Sequence, residues 1–166
     1  MSESALAAIV FGQDENVDAL MQELLRRLTA RGVRVGGLIQ SPCDETVMAT
    51  HIESGRRIDL MQNLGACSEG CRLDTGALAE AAGLLAQSLA TPPQLLLISR
   101  FGHAEVQGGG FLAEIGEAAS LNIPTLIGVS DKRRAQWAEF AGDLSETLPC
   151  SLEAALAWWE SAVQAA

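Results

Sequence analysis

The sequence predicts a three-layer α/β domain built on a mainly parallel sheet. Short continuous apolar runs recur at residues 5–11, 94–98 and 124–129. Runs of this length, bounded by glycine, proline or polar residues, read as strands buried on both faces. Between them, apolar residues return at helical spacing, as in Val17, Leu20, Met21, Leu24 and Leu28. The two kinds of segment alternate along the chain, the pattern of helices laid over both faces of a parallel sheet. At 166 residues the chain has the length of a single domain, read as 1–166. A chain this size buries about 70% of its unfolded surface, enough for a core without staples.

Taken in order, the first strand is residues 5–11, ending at Gly12. A polar loop, Gly12-Gln-Asp-Glu-Asn, leads into the first helix. That helix carries Arg26, Arg27 and Arg31 towards its end, where cations suit the dipole, and Gly32 is placed to close it. Residues 33–40 form the second strand, completing a β-α-β unit whose strands should run parallel. Residues 46–52 and 56–60 flank Ser54-Gly55 and read as a small β-hairpin inserted in the fold. A loop over residues 61–76 follows; loops this long are uncommon and often functional. Leu78, Ala82, Leu85 and Leu89 stripe a helix that Thr91-Pro-Pro ends. Residues 94–98 are a buried strand followed by Ser99-Arg-Phe-Gly. Gln107-Gly-Gly-Gly then opens a helix from Phe111 to about Leu121. After the strand at 124–129, Ser130 is placed to N-cap the next helix. Residues 144–148 read as a short last strand. Leu152, Ala155, Leu156, Trp159 and Val163 stripe the closing helix, which leaves Trp158 off the stripe and expected at a dimer or partner surface.

Composition narrows the function. Eleven basic against 21 acidic residues leave a net charge of −10, which disfavours nucleic-acid binding. Tyrosine is absent and aromatics are few, so no platform for stacking bases is expected. No apolar run approaches the roughly 18 residues of a membrane span. The first residues lack the basic start of a secretory signal, so a cytoplasmic chain with reduced thiols is expected. Of the four cysteines, Cys67 and Cys71 are separated by three residues, which is not a zinc-ribbon spacing, and no second pair follows. No metal site and no catalytic residue is assigned.

In open parallel sheets, ligands bind beyond the carboxyl ends of the strands. Three segments leave the sheet there: residues 12–16, residues 99–110 and the turn after Val129. The first enters a helix N-terminus, whose free amides suit an anion, although it also reads as an ordinary strand–helix turn. Laid on the phosphate-binding pattern G-x-x-x-x-G-K-[ST], Gly12 fits. The second glycine, however, becomes Val17, the lysine Asp18 and the hydroxyl Ala19. Where the second half of such a site needs acids after a buried strand, Ser99 and Arg100 stand. Magnesium-dependent hydrolysis is therefore not expected.

The layout resembles the small P-loop nucleoside-triphosphatases. The matching stretches are Gly32-Val-Arg-Val-Gly-Gly, Ser54-Gly55, and Ser99-Arg-Phe-Gly-His-Ala-Glu105, in which Gly102 and Glu105 fit and the two acids do not. It resembles more closely an uncharacterised bacterial family of degenerate P-loop proteins associated with molybdenum metabolism. The resemblance rests on Val10-Phe-Gly-Gln, Gly70-Cys-Arg-Leu-Asp74 and Arg100-Phe-Gly-x-Ala-Glu-x-x-Gly-Gly-Gly-Phe111, within about residues 5–140. It implies a P-loop-like fold and a role in handling molybdate, tungstate or a related oxyanion, with a molybdenum-pathway protein or a second copy as partner.

The expected ligand-binding set is Gly12, Gln13, Asp14, Asn16, Cys71, Arg72, Arg100, His103, Gly108, Gly109 and Gly110, with Asp74 and Glu105 shaping the loops. Cys71 beside Arg72 reads as a thiolate or soft ligand, or as a small buried residue with Arg72 paired to Asp74. As a thiolate it should react faster than Cys150. Arg100 offers a planar fork to a tetrahedral anion, or pairs with Glu105 or Glu114. His103 and Glu105 read as hydrogen-bonding loop residues or an acid/base pair. Gly108, Gly109 and Gly110 permit close backbone approach to an anion, or form a hinge. His51, alone in the hairpin, is expected at the surface. The leading function is non-hydrolytic binding of a small oxyanion, as an accessory in metal or molybdenum-cofactor supply. The alternatives are a divergent nucleoside-triphosphatase or phosphotransferase, and a regulatory scaffold without ligand.

Overall fold

A computed structural model describes residues 5–43, 46–59, 75–101 and 112–165. A seven-stranded sheet has the order β4-β3-β2-β5-β6-β1-β7. Its strands are β1 (Leu6–Phe11), β2 (Val35–Cys43), β3 (Thr46–His51), β4 (Arg57–Asp59), β5 (Leu95–Phe101), β6 (Thr125–Ser130) and β7 (Ser145–Pro149). The strands β2, β5, β6, β1 and β7 pair in parallel; β3 runs against them, antiparallel to β2 and, in the expected hairpin, to β4. The first and second strands are therefore parallel but not neighbours, since β6 and β5 lie between them.

Five helices flank this sheet among the described residues: α1 (Val17–Ala30), α2 (Thr75–Ala90), α3 (Leu112–Ser120), α4 (Arg134–Ala141) and α5 (Leu152–Ala165). Alternate strand residues feed two separate cores, as the period-two geometry requires. On one face Ala7, Ile9, Leu95, Leu97 and Leu126 pack against α1 and α5. On the other Leu6, Ala8, Leu96, Ile98 and Ile127 pack against α2, α3 and α4. The expected three-layer, mainly parallel α/β architecture is the one found.

The helix stripes explain which faces are buried. Val17, Met21, Leu24 and Leu28 are all fully buried along α1. At its end the Gly32 amide bonds the Thr29 carbonyl and the Val33 amide the Leu28 carbonyl, a Schellman closure. The closing helix departs from expectation. Trp158 and Trp159 are both buried, so no indole is left for a partner surface. The reason is double coverage: α5 packs on the sheet and also beside α1. There the Trp159 indole N–H donates to the Gln94 carbonyl at 3.1 Å, with the Arg31 guanidinium 5.7 Å above its ring.

Two glycines let β5 sit deep in the sheet. Gly37 of β2 adopts φ +114°, and a Cβ there would come within 2.1 Å of the Leu97 carbonyl oxygen. Gly128 of β6 presses equally closely on the Ser99 carbonyl oxygen. The β5–β6 register slips at this point: β5 advances from Ile98 to Phe101 while β6 advances from Ile127 to Val129. That extra residue is a bulge, a device that turns side chains at a strand end.

Gly128→Ala should cost at least about 1–3 kcal/mol, because backbone must move to admit the methyl group. Gly83→Ala, in the exposed middle of α2 with open space around it, should instead stabilise by about 0.5–1 kcal/mol. Urea unfolding of the two variants should give midpoint shifts of opposite sign.

Candidate functional site

The carboxyl ends of β5, β6 and β1 form one continuous edge. Phe11 pairs with Ser130 and Val10 with Val129, while Val129 pairs with Phe101. Residues 12–16, the end of β5 and the turn after β6 are thus neighbours, in the place where parallel sheets hold ligands.

The loop from β1 to α1 is a tight turn. The Glu15 amide donates to the Gly12 carbonyl at 3.1 Å, and the Gly12 amide donates to the Glu15 carboxylate at 2.7 Å. Asn16 caps α1 by accepting from the Ala19 amide at 3.0 Å. Two amides of the expected anion cradle are therefore satisfied from within, one of them by a carboxylate. Gln13 and Asp14 are exposed at the tip. Acidic groups crowd this loop: the Asp131 carboxylate lies 3.6 Å from where a Gly12 Cβ would stand. Asp18, in the position of the phosphate-binding lysine, is buried in the first turn of α1, where the helix dipole favours a carboxylate.

At the end of β5, Ser99 is buried and its hydroxyl accepts from the Gln40 amide of β2 at 2.7 Å. The residue standing where an acid would hold magnesium is thus a cross-strand pin. Arg100 lies within β5 rather than in the loop after it, because the strand runs on to Phe101 through the bulge. Of the other expected site residues, Cys71, Arg72, Asp74, His103, Glu105, Gly108, Gly109 and Gly110 lie outside the described residues.

After β6 the structure bears out the expected cap at Ser130 and adds the cations that follow it. Ser130 caps a short 3-10 turn, Asp131–Arg133, by accepting from the Lys132 amide, and α4 begins directly after it at Arg134. Lys132, Arg133 and Arg134 thereby bring three consecutive cations to the same edge. The signal in the sequence was the run itself, in a chain with only 11 basic residues. Without the strand order it read as an ordinary helix start.

Cys150 follows β7 at this edge. Burial, and next the nearby Glu15 carboxylate, push its thiol pKa up. Among the described residues, no group of His, Cys, Asp and Glu side chains is arranged to hold a metal ion. No described helix is long and apolar enough to cross a membrane.

A pocket of about 310 Å³ lies at the opposite edge, lined in part by Arg34, His51, Glu53 and Ser88. His51 is buried there, not on the surface. Its Nδ1 lies 2.7 Å from Ser54 Oγ, and its Nε2 lies 2.9 Å from Ser88 Oγ and 3.2 Å from the Glu53 carboxylate. Glu53 in turn accepts from the Gly37 amide at 3.0 Å. This network ties the hairpin to α2 and β2.

Fold and edge together define an α/β protein with a P-loop-like sheet. The chain belongs to the DUF2478 family, described as a protein of unknown function, which matches residues 6–158. It is 31% identical over 160 residues to a protein of Bradyrhizobium diazoefficiens named molybdenum import ATP-binding protein ModC 2. That match takes in 93% of this chain but only 18% of the relative. The fold is similar to the solution structure of a human cancer-related nucleoside triphosphatase, with a TM-score of 0.65 and 14% identity. The likeness covers 96% of this chain and 95% of the other.

Because a thiolate is the reacting form, folded Cys150 should be alkylated more slowly at neutral pH than the same residue in urea. Glu15→Gln removes the neighbouring charge and should speed labelling of the folded protein about two- to fivefold. Mass-spectrometric labelling time courses check both outcomes.

Proposed function

We propose that this protein binds a small tetrahedral oxyanion without hydrolysing nucleotide, as an accessory in molybdenum handling. The observation that carries the reading is the replacement of the nucleotide-binding groups at their positions in the fold. A buried Asp18 stands in place of the lysine, and Ser99 spends its hydroxyl on the Gln40 amide. A triphosphate brought to loop 12–16 would meet Asp14, Glu15 and Asp131, and would lack both lysine and magnesium ligands. A compact dianion needs far less, namely one or two guanidinium or amide contacts.

Arg100, next to last in β5 at the ligand edge, is assigned as the principal charge contact. Since Gly12 and Ala19 already have partners for their amides, the weight of binding rests on Arg100 and the groups beside it. Cys71, Arg72 and the Gly108–Gly110 amides are proposed to complete the site. Molybdate or tungstate is the favoured ligand on the strength of the relative's name, which mentions molybdenum import. That relative is more than five times longer than the matched unit, so its transport activity is not carried over to this chain.

The second reading, a divergent nucleoside-triphosphatase, draws on the fold of the human enzyme. Calorimetric titration separates the two. Wild type should bind molybdate or tungstate, and Arg100→Ala should weaken binding about ten- to a hundredfold, the value of a charge-assisted hydrogen bond. Arg100→Lys should recover part of it, since an ammonium lacks the bidentate fork. Magnesium-dependent nucleotide turnover that a change in loop 12–16 abolishes would favour the enzyme instead.

A further inference from the structure

The turn after β6 carries Asp131, Lys132, Arg133 and Arg134, three positive charges and one negative in four residues. The chain as a whole is strongly acidic, with a net charge of −10. Most of its other described cations are neutralised where they stand. Arg26 and Arg27 share Glu23, Arg31 pairs with Glu160, Arg56 pairs with Glu80, and Arg34 donates to the Pro92 carbonyl. Lys132, Arg133 and Arg134 form no ion pair with any described carboxylate, although Asp131 precedes them directly. Lys132 and Arg134 are exposed and Arg133 is half-buried.

Their place in the fold makes this unusual. The β6 strand lies between β1 and β5, so the turn sits directly beside Gly12 on one side and the end of β5 on the other. Arg133 caps and Arg134 opens α4, the end of a helix at which a positive side chain is disfavoured. Like charges held together against the dipole raise the free energy of the unliganded protein, and a bound anion relieves both terms.

We infer that Lys132, Arg133 and Arg134 form the cationic wall of the oxyanion site, supplying from β6 the charge that the lost lysine of α1 no longer provides. The inference rests on the oxyanion reading above and assigns the residues that set its charge preference. The turn contributes a net +2, which matches a tetrahedral dianion such as tungstate, molybdate or sulfate. A longer polyphosphate would extend onto the acidic loop at Asp14 and Glu15, so the edge discriminates by size as well as charge.

The test is calorimetric titration of tungstate into four proteins: wild type, Arg134→Gln, Lys132→Gln/Arg133→Gln and, last, Arg26→Gln/Arg27→Gln. The last carries the same change in net charge near the far end of α1, at the opposite edge of the sheet. The wall variant should bind about tenfold more weakly or worse, and the remote variant within about twofold of wild type, since charges beyond a Debye length of about 8–10 Å are screened. Circular dichroism and thermal unfolding confirm that each variant is folded, with at most a small fall in midpoint where Arg133 is half-buried and where Arg26 and Arg27 release Glu23. Arg134→Gln alone should lower affinity by a smaller factor in the same direction. If wild type binds tungstate and the wall variant binds it equally well, the inference is overturned and the oxyanion reading stands. If wild type binds none of these dianions, both fall.

Discussion

The close approach of β5 to its neighbours is the constraint on which the rest of the molecule depends. Its backbone lies against Gly37 on one side and Gly128 on the other, at distances that no side chain on either residue would permit. Beyond Gly128 the register slips by one residue, and the strand runs on through Ser99 and Arg100. The hydroxyl of Ser99 then bonds the Gln40 amide, locking the end of β5 to β2. Burial of the central strands on both faces follows from this tight seating, and so does the position of the ligand edge. The Ser99 position is thereby structural, a pin between β5 and β2.

The other half of the edge has changed in a complementary way. The first loop holds its own carboxylate against the Gly12 amide and is ringed by acids. Positive charge stands one strand over, on the turn after β6 at Lys132, Arg133 and Arg134. The proposed compact anion would meet that cationic turn, whose guanidinium groups can hold it without a bridging metal. Asp18 is buried in the first turn of α1, so a lysine at that position would require repacking the helix start.

The sequence was informative where structure is local. The apolar runs of β1, β5 and β6 and the stripe of α1 follow directly from burial on two faces and from helical spacing. Their boundaries fall within a few residues of the expected ones. It was uninformative where meaning depends on a distant neighbour. His51 read as a lone surface residue because Ser88, which buries it, is 37 positions away. Trp158 read as exposed because a single-face stripe does not anticipate a helix covered on two sides. Arg100 was expected after its strand because only pairing with β6 shows that the strand continues. Lys132–Arg134 became meaningful once β6 was found between β1 and β5, a strand order that no local pattern encodes. The expected residues at 71–74 and 103–110 lie outside the described part of the chain.

The central claim is that the carboxyl edge of the sheet holds a small dianion in place of a nucleotide. The most direct measurement is a crystal soak with tungstate in competition with magnesium-ATP, read by anomalous scattering. The account predicts a tungsten peak at the ends of β5 and β6, within contact of Arg100 and the turn at Lys132–Arg134, and no nucleotide on loop 12–16. Ordered nucleotide with magnesium on that loop, and no tungsten at the edge, would contradict it.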